Sequence, residues 1–247
     1  MQIVDFHVHI GKSEKFDLYY TLEQYTNLME LNGIKHAVIM PNVSSEVPSH
    51  TANDAILELE PAEDLFSVFL LVDPKDKSII TQIKENKSVV KGLKYHPSVH
   101  QEPVDSILLQ PFIDKAIKNN IPILVHCGRD KLSNMTYLIT AAKRNPKAKF
   151  IAAHMGGAAA ELIYIAIERL AAENVKNIWL DSSAINLPSL IEFGVAKLGI
   201  NRILFGSDVP YGDLRMSIAC VDFTTLSKEE KEKVFYENSK QLISFGR

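Results

Sequence analysis

Short apolar runs alternate along the whole chain with longer stretches in which apolar positions recur every three or four residues. The short runs predict strands at 2–9, 37–41, 65–72, 89–96, 122–126, 150–154, 177–181 and 202–207. Between them the helical period predicts helices near 22–31, 52–59, 78–86, 106–119, 135–144, 158–172 and 187–198, with two more after the last strand. Strict β-α order implies a parallel sheet with helices outside it. Eight such units of about 30 residues consume about 240 residues, and the chain has 247. The expected fold is therefore α/β, a (β/α)8 TIM barrel, formed as a single domain over residues 1–247. An open doubly wound sheet is the competitor. Its first strand normally leads into a glycine-rich phosphate loop, whereas this one leads into HVHIGK.

Composition narrows the class. With 46% hydrophobic and 23% charged residues the chain matches soluble globular domains, which excludes disordered, collagenous and coiled-coil chains. A net charge of −3 offers no basic field for a phosphate backbone, so nucleic acid is not an expected partner. No apolar run approaches the roughly 18–20 residues that span a bilayer, and MQIVDFHVHI places Asp and two His where a signal peptide needs an apolar block. No membrane partner and a cytoplasmic location are expected. Cys127 and Cys220 match no metal or disulfide spacing and suit a reducing compartment.

The candidate chemistry begins in the first strand. Alternate side chains of a strand share a face, so Asp5, His7 and His9 are expected on one side and Val4, Phe6, Val8 and Ile10 on the other. A His-x-His pair alone is a weak signal, but other strand ends repeat the theme. His126 closes PILVHCG, His154 closes FIAAHMGG, and Asp208 follows ILFGS. Strand C-termini of a barrel ring one mouth, so these residues should converge there. Three imidazoles and a carboxylate suit zinc or a similar divalent ion with one position left open. Lys94, in GLKYHP, shares its strand face with His96. A buried lysine must pair or lose its charge, and one that binds substrate implies an anionic ligand. Arg129 reads either as a clamp on a carboxylate or as a salt bridge to Asp130. Tyr211 is a candidate pocket wall, and Gly156-Gly157 reads as a close-packed turn before it reads as an anion cradle.

Taken together, HVH, LVHCG, AHMGG and GSDVPYG resemble the amidohydrolase superfamily of metal-dependent barrel enzymes, in particular its amidohydrolase-2 branch. ENSKQLISF is similar to that branch's closing helix, so the resemblance spans the chain. It implies metal ligation by His7, His9, His126 and Asp208, and a catalytic or second-metal role for His154. Some superfamily members carboxylate a lysine in the position of Lys94 to bridge two metals, which makes Lys94, His96 and Arg129 candidates for a second metal or for substrate. One tightly held ion is expected, zinc first, with manganese or another divalent ion as substitutes and a second ion as the variant.

The expected activity is hydrolysis of an amide, lactone or related ester of a small molecule through a metal-activated water. Asp208 takes and returns the proton, and His154 stabilises the developing negative oxygen. Non-oxidative decarboxylation of a small aromatic or unsaturated acid is the alternative, because the branch contains such enzymes. They are commonly longer, so 247 residues favour hydrolysis. Outside the enzymes, a metal-retaining barrel without turnover is the remaining alternative.

Overall fold

The computed structural model describes residues 1–13 and 16–245. Its order is β1 (Ile3–Ser13), β2 (Leu18–Tyr20), α1 (Leu22–Asn32), β3 (Ile34–Pro41), α2 (Ser49–Leu57), β4 (Phe66–Leu71), α3 (Ser78–Glu85) and β5 (Val90–Tyr95). There follow α4 (Pro97–His100), α5 (Gln110–Asn119), β6 (Ile123–Val125), α6 (Met135–Arg144), β7 (Phe150–Ala152) and α7 (Ala160–Ala172). The chain ends with β8 (Ile178–Asp181), α8 (Pro188–Leu198), β9 (Ile203–Leu204), α9 (Leu214–Asp222) and α10 (Lys228–Phe235). All eight predicted strands form, in the parallel order β1-β3-β4-β5-β6-β7-β8-β9.

The sheet closes on itself. The Phe6 amide donates to the Phe205 carbonyl at 2.9 Å and the His9 amide to that of Val209 at 2.7 Å, while the Asp208 amide reaches the His7 carbonyl at 2.8 Å. The barrel is thus sealed between its first strand and residues 205–209, where only Ile203–Leu204 is regular strand. Its interior holds Val4, Phe6, Phe69, Leu124, Ile151 and Leu204. Gly92 faces this interior, and a Cβ there would overlap the Phe69 ring. The segment expected as a closing helix is a 3-10 turn, Glu237–Gln241, after which Leu242 and Ile243 join the interior cluster.

One face assignment is corrected. Val4 and Phe6 point into the barrel, whereas Val8 and Ile10 pack outward with Tyr25 and Met29. The register of β1 against β3 shifts between Asp5 and Val8, and such a bulge exchanges the two faces of a strand. His7 and His9 therefore face inward as expected, but Asp5 does not share their side. A second addition is the antiparallel pairing of β2 with the end of β1, which sets a short hairpin beside the mouth. Among the described residues no helix is long and apolar enough to cross a membrane.

Candidate metal centre and active site

The ligand atoms of His7, His9 and Asp208 converge. Nε2 of His7 lies 3.1 Å from Nε2 of His9, and Oδ1 of Asp208 lies 3.3 and 3.4 Å from the two nitrogens. The outer nitrogens fix the tautomers. Nδ1 of His7 donates to the Asp181 carboxylate at 3.0 Å, and Nδ1 of His9 donates to the Pro41 carbonyl at 3.1 Å. Neither acceptor carries a proton to give, so each Nε2 presents a lone pair. Two acceptor nitrogens and a carboxylate oxygen within 3.4 Å of one another need positive charge beside them, which the Lys94 ammonium supplies at His7 and a bound cation would supply among all three. This donor set fits a divalent ion of the zinc or manganese type, and the carboxylate–imidazole support behind it is what such ions require.

Lys94 stands beside the cluster, with its ammonium donating to Nε2 of His7 at 2.8 Å. Burial pushes the lysine down to about 8, while Asp208 and Asp181 pull the other way. Burial, followed by the Lys94 charge, lowers His7 to about 4. Burial also works against ionisation of Asp208, but the imidazoles of His7, His9 and His154 outweigh it and hold the carboxyl well below the usual range.

Expected ligand His126 is placed differently. Its Nδ1 faces Nε2 of His154 at 3.2 Å, and its ring stacks on His96 with centroids 3.9 Å apart. The structure brings together three of the four expected ligands and leaves His126 in a pair with His154. His154 is itself fixed by Ser183, whose hydroxyl donates to Asp181 and accepts from Nδ1 of His154 at 2.8 Å. His154 thus turns Nε2 away from Ser183 and toward His126 and the site. Burial, then the Lys94 charge, drives His96 down to about 3, and its Nδ1 is buried without a partner.

Of these groups His9, Lys94, His96, His126, His154 and Asp208 line a cavity of about 510 Å³ at the strand C-termini, together with Phe16, Val43, Val99 and Tyr211. The Tyr211 hydroxyl is bound to Ser13 and Asn42, both at 2.8 Å. Arg129 is exposed and outside this lining, while neighbouring Asp130 is part of it and accepts from the Ser133 amide at 3.0 Å. Gly157 is a packing glycine, since a Cβ would come within 2.8 Å of Leu162. Burial raises the Cys127 thiol to about 12, which leaves it inert.

Backbone strain gathers at the same place. Asp208, His154 and Met155 have φ of 60°, 57° and 55°, a region that non-glycine residues occupy at a cost. The Asp208 carbonyl is held by the amides of Tyr211 at 2.7 Å and Gly212 at 2.9 Å. A Cβ at Gly212 would overlap the Ser207 carbonyl, so the final glycine of GSDVPYG is a requirement of this turn. Sequence reasoning missed Asp181 and Ser183, although Asp181 closes an apolar strand as Asp208 and the histidines do.

The family profile described as amidohydrolase matches residues 4–245. No curated protein matches the sequence. Among solved structures, 2,6-dihydroxybenzoate decarboxylase from Rhizobium is similar at a TM-score of 0.79 and 17% identity, covering 98% of each chain. 5-Carboxyvanillate decarboxylase from Sphingomonas paucimobilis gives 0.79 and 13%, covering 99% of each chain. A dihydroxybenzoic acid decarboxylase from Polaromonas with bound manganese gives 0.78 and 14%, covering 98% of this chain and 96% of its own. At these identities the likeness establishes the barrel fold.

Proposed function

The chain belongs to the amidohydrolase family, in its amidohydrolase-2 branch, and from that premise we propose that it is a metal-dependent enzyme that decarboxylates a small aromatic or unsaturated acid without oxidation. The observation that carries this reading is the pairing of an ammonium with an apolar wall in one cavity. Lys94 lies at the ligand cluster and offers a charge to an anionic substrate, while Phe16, Val43, Val99 and Tyr211 offer surface to a flat carbon skeleton. The decarboxylases of the same fold support it.

His7, His9 and Asp208 would hold one divalent ion, zinc or manganese, and the His126–His154 pair has the donors for a second. When bound, such an ion supplies a Lewis acid that polarises an oxygen of the substrate. The chain's own residues do the rest. Lys94 binds and orients the acid, and the apolar wall excludes water from the carbon that loses its carboxylate. Breaking the carbon–carboxylate bond leaves an electron pair that a proton must fill. Asp208, held ionised and facing the cavity, would first take a proton from a substrate hydroxyl or a water and then return it to that carbon, and His154 would orient the substrate hydroxyl through Nε2.

Hydrolysis of a lactone, amide or related ester is the second reading. It is favoured by Asp208 being held ionised beside the cluster, where it can accept a proton from water. One experiment separates the two. Metal-loaded protein is offered hydroxybenzoates, muconate-type acids, lactones and amides in deuterated and in ¹⁸O-labelled water. Decarboxylation releases carbon dioxide and places one solvent deuterium on the vacated carbon. Solvent ¹⁸O in the organic product, without carbon dioxide, would overturn the main reading in favour of hydrolysis.

A further inference from the structure

Asp5 lies on the outer side of β1, is fully buried, and is not part of the cavity. Its carboxylate nevertheless accepts four hydrogen bonds. Oδ1 receives the amides of His7 at 3.2 Å and Ser207 at 2.9 Å, and Oδ2 receives the hydroxyls of Ser207 at 2.6 Å and Tyr25 at 2.8 Å. The Ser207 hydroxyl in turn accepts from the Val209 amide at 3.2 Å. Both segments that deliver ligands, residues 7–9 and 207–209, are thus fastened to one buried carboxylate, which is also anchored to α1 through Tyr25.

We infer that Asp5 is a positioning residue for the metal centre: it ties the His7 backbone to the Ser207–Val209 turn and so sets the distance between the His7 imidazole and the Asp208 carboxylate. The inference rests on the reading of His7, His9 and Asp208 as metal ligands. Three observations require such a tie. Asp208 sits at φ 60°, a conformation its neighbours must impose. The ligand atoms of His7 and Asp208 approach to 3.3 Å although their segments belong to opposite sides of the barrel seam. No side chain of the cavity reaches the amides of both His7 and Ser207, whereas Asp5 binds them with a single oxygen.

The chemistry of the two carboxylate oxygens makes position separable from charge. In Asp5→Asn the carbonyl oxygen can still accept both amides, and the new NH2 group can donate to the two hydroxyls, which accept as readily as they donate. In Asp5→Ala all four bonds are lost and the two amides are left buried without partners.

The test titrates zinc and manganese into metal-free wild type, Asp5→Asn and Asp5→Ala, and follows amide hydrogen exchange at His7 and Ser207. Asp5→Ala is expected to bind metal about 10–100-fold more weakly, with faster exchange at both amides and unchanged protection in β6. Asp5→Asn is expected to recover most of both. If Asp5→Ala does not fold, Ser207→Ala and Tyr25→Phe each remove one donor and keep the carboxylate. Ser207→Ala, next to Asp208, should then weaken metal binding more than Tyr25→Phe. Wild-type affinity and exchange throughout the series overturn the inference, as does an Asp5→Asn as weak as Asp5→Ala, which would make charge the active quantity. A wild-type protein that takes up neither metal would remove the metal-centre reading alone, since exchange at the two amides still decides whether Asp5 holds the segments.

Discussion

The floor and the mouth of this barrel solve opposite problems with the same strands. At the floor Phe6 and Phe69 meet edge to face with centroids 5.7 Å apart, and Leu242 and Ile243 close the interior. Asn238 donates to the carbonyls of Ile200 and Ile203 at 2.8 and 2.7 Å, and Arg202 donates to those of Val175 and Ile178. At the mouth three electron-rich atoms converge, His96 keeps an unpartnered nitrogen, and three residues hold positive φ. The first end contributes stability. The second gathers polar and strained groups that the Lys94 ammonium compensates in part and a bound ion would compensate further, which is the usual division of labour between the faces of such barrels.

Substitutions at the two ends should therefore have different signatures. The largest effect is expected at the mouth, where Asp208→Asn should lower turnover by about 10²–10⁴-fold or more, since proton transfer and ligation fail together. The melting temperature of the metal-free protein should change little, because the favourable surroundings of the ionised carboxylate are lost while asparagine tolerates the positive φ of this position. A large drop in melting temperature in calorimetry would break the contrast. At the floor, Phe69→Ala should cost about 3–5 kcal/mol in urea unfolding through the cavity it leaves. Its folded fraction should still bind metal at the wild-type ratio, which elemental analysis can check.

A smaller effect is expected from pH. Lys94 holds its proton less firmly when folded, at about 8 against an ordinary 10.5. From pH 8 to 9 the unfolded chain binds more protons, so stability of the metal-free protein should rise with pH, and Lys94→Met should flatten that rise. Above pH 9 the buried thiols, raised to about 12 at Cys127 and about 11 at Cys220, oppose it. On the acid side, His7 at about 4 and His96 at about 3 contribute stability that is present above about 6.5 and lost as pH falls through those values. Asp5, raised by burial to about 6, has the opposite sign and weakens the fold as pH rises from 3.8 through 6. Denaturant titrations of wild type and Lys94→Met at each pH test the alkaline limb. The smallest change is expected for Tyr211→Phe, which loses bonds to Ser13 and Asn42 at the rim. It should cost about 1 kcal/mol of unfolding free energy, and a cost as large as that of Phe69→Ala would erase the distinction between the two ends.

The barrel was legible because its strands are buried on both faces and its helices on one, so each type leaves its own period in the sequence. The strand-end histidines were legible for the same reason, since each interrupts an apolar run at the point where the run stops. Asp5 was misread because strand alternation counts residues and cannot see a bulge, which changes the count without changing the composition. β2, with three residues, is too short to carry a period. Ligation by His126 was carried by resemblance, and ring orientation, which places its Nδ1 against His154, is decided by contacts distant in sequence.

The seam between β1 and residues 205–209 also sets a timetable. Ser207 and Asp5 are 202 residues apart in the chain yet share a hydrogen bond. At a synthesis rate of about 5–20 residues per second, the first strand waits roughly 10–40 s for the segment that completes it. Contacts of such long range are the last to be rewarded in folding. During that interval the inward-facing histidines of β1 lack the Asp208 carboxylate. On the proposed reading of His7, His9 and Asp208 as metal ligands, the full set of donors would exist only once the ring is closed, and an ion held by all three would report that the final strand has docked.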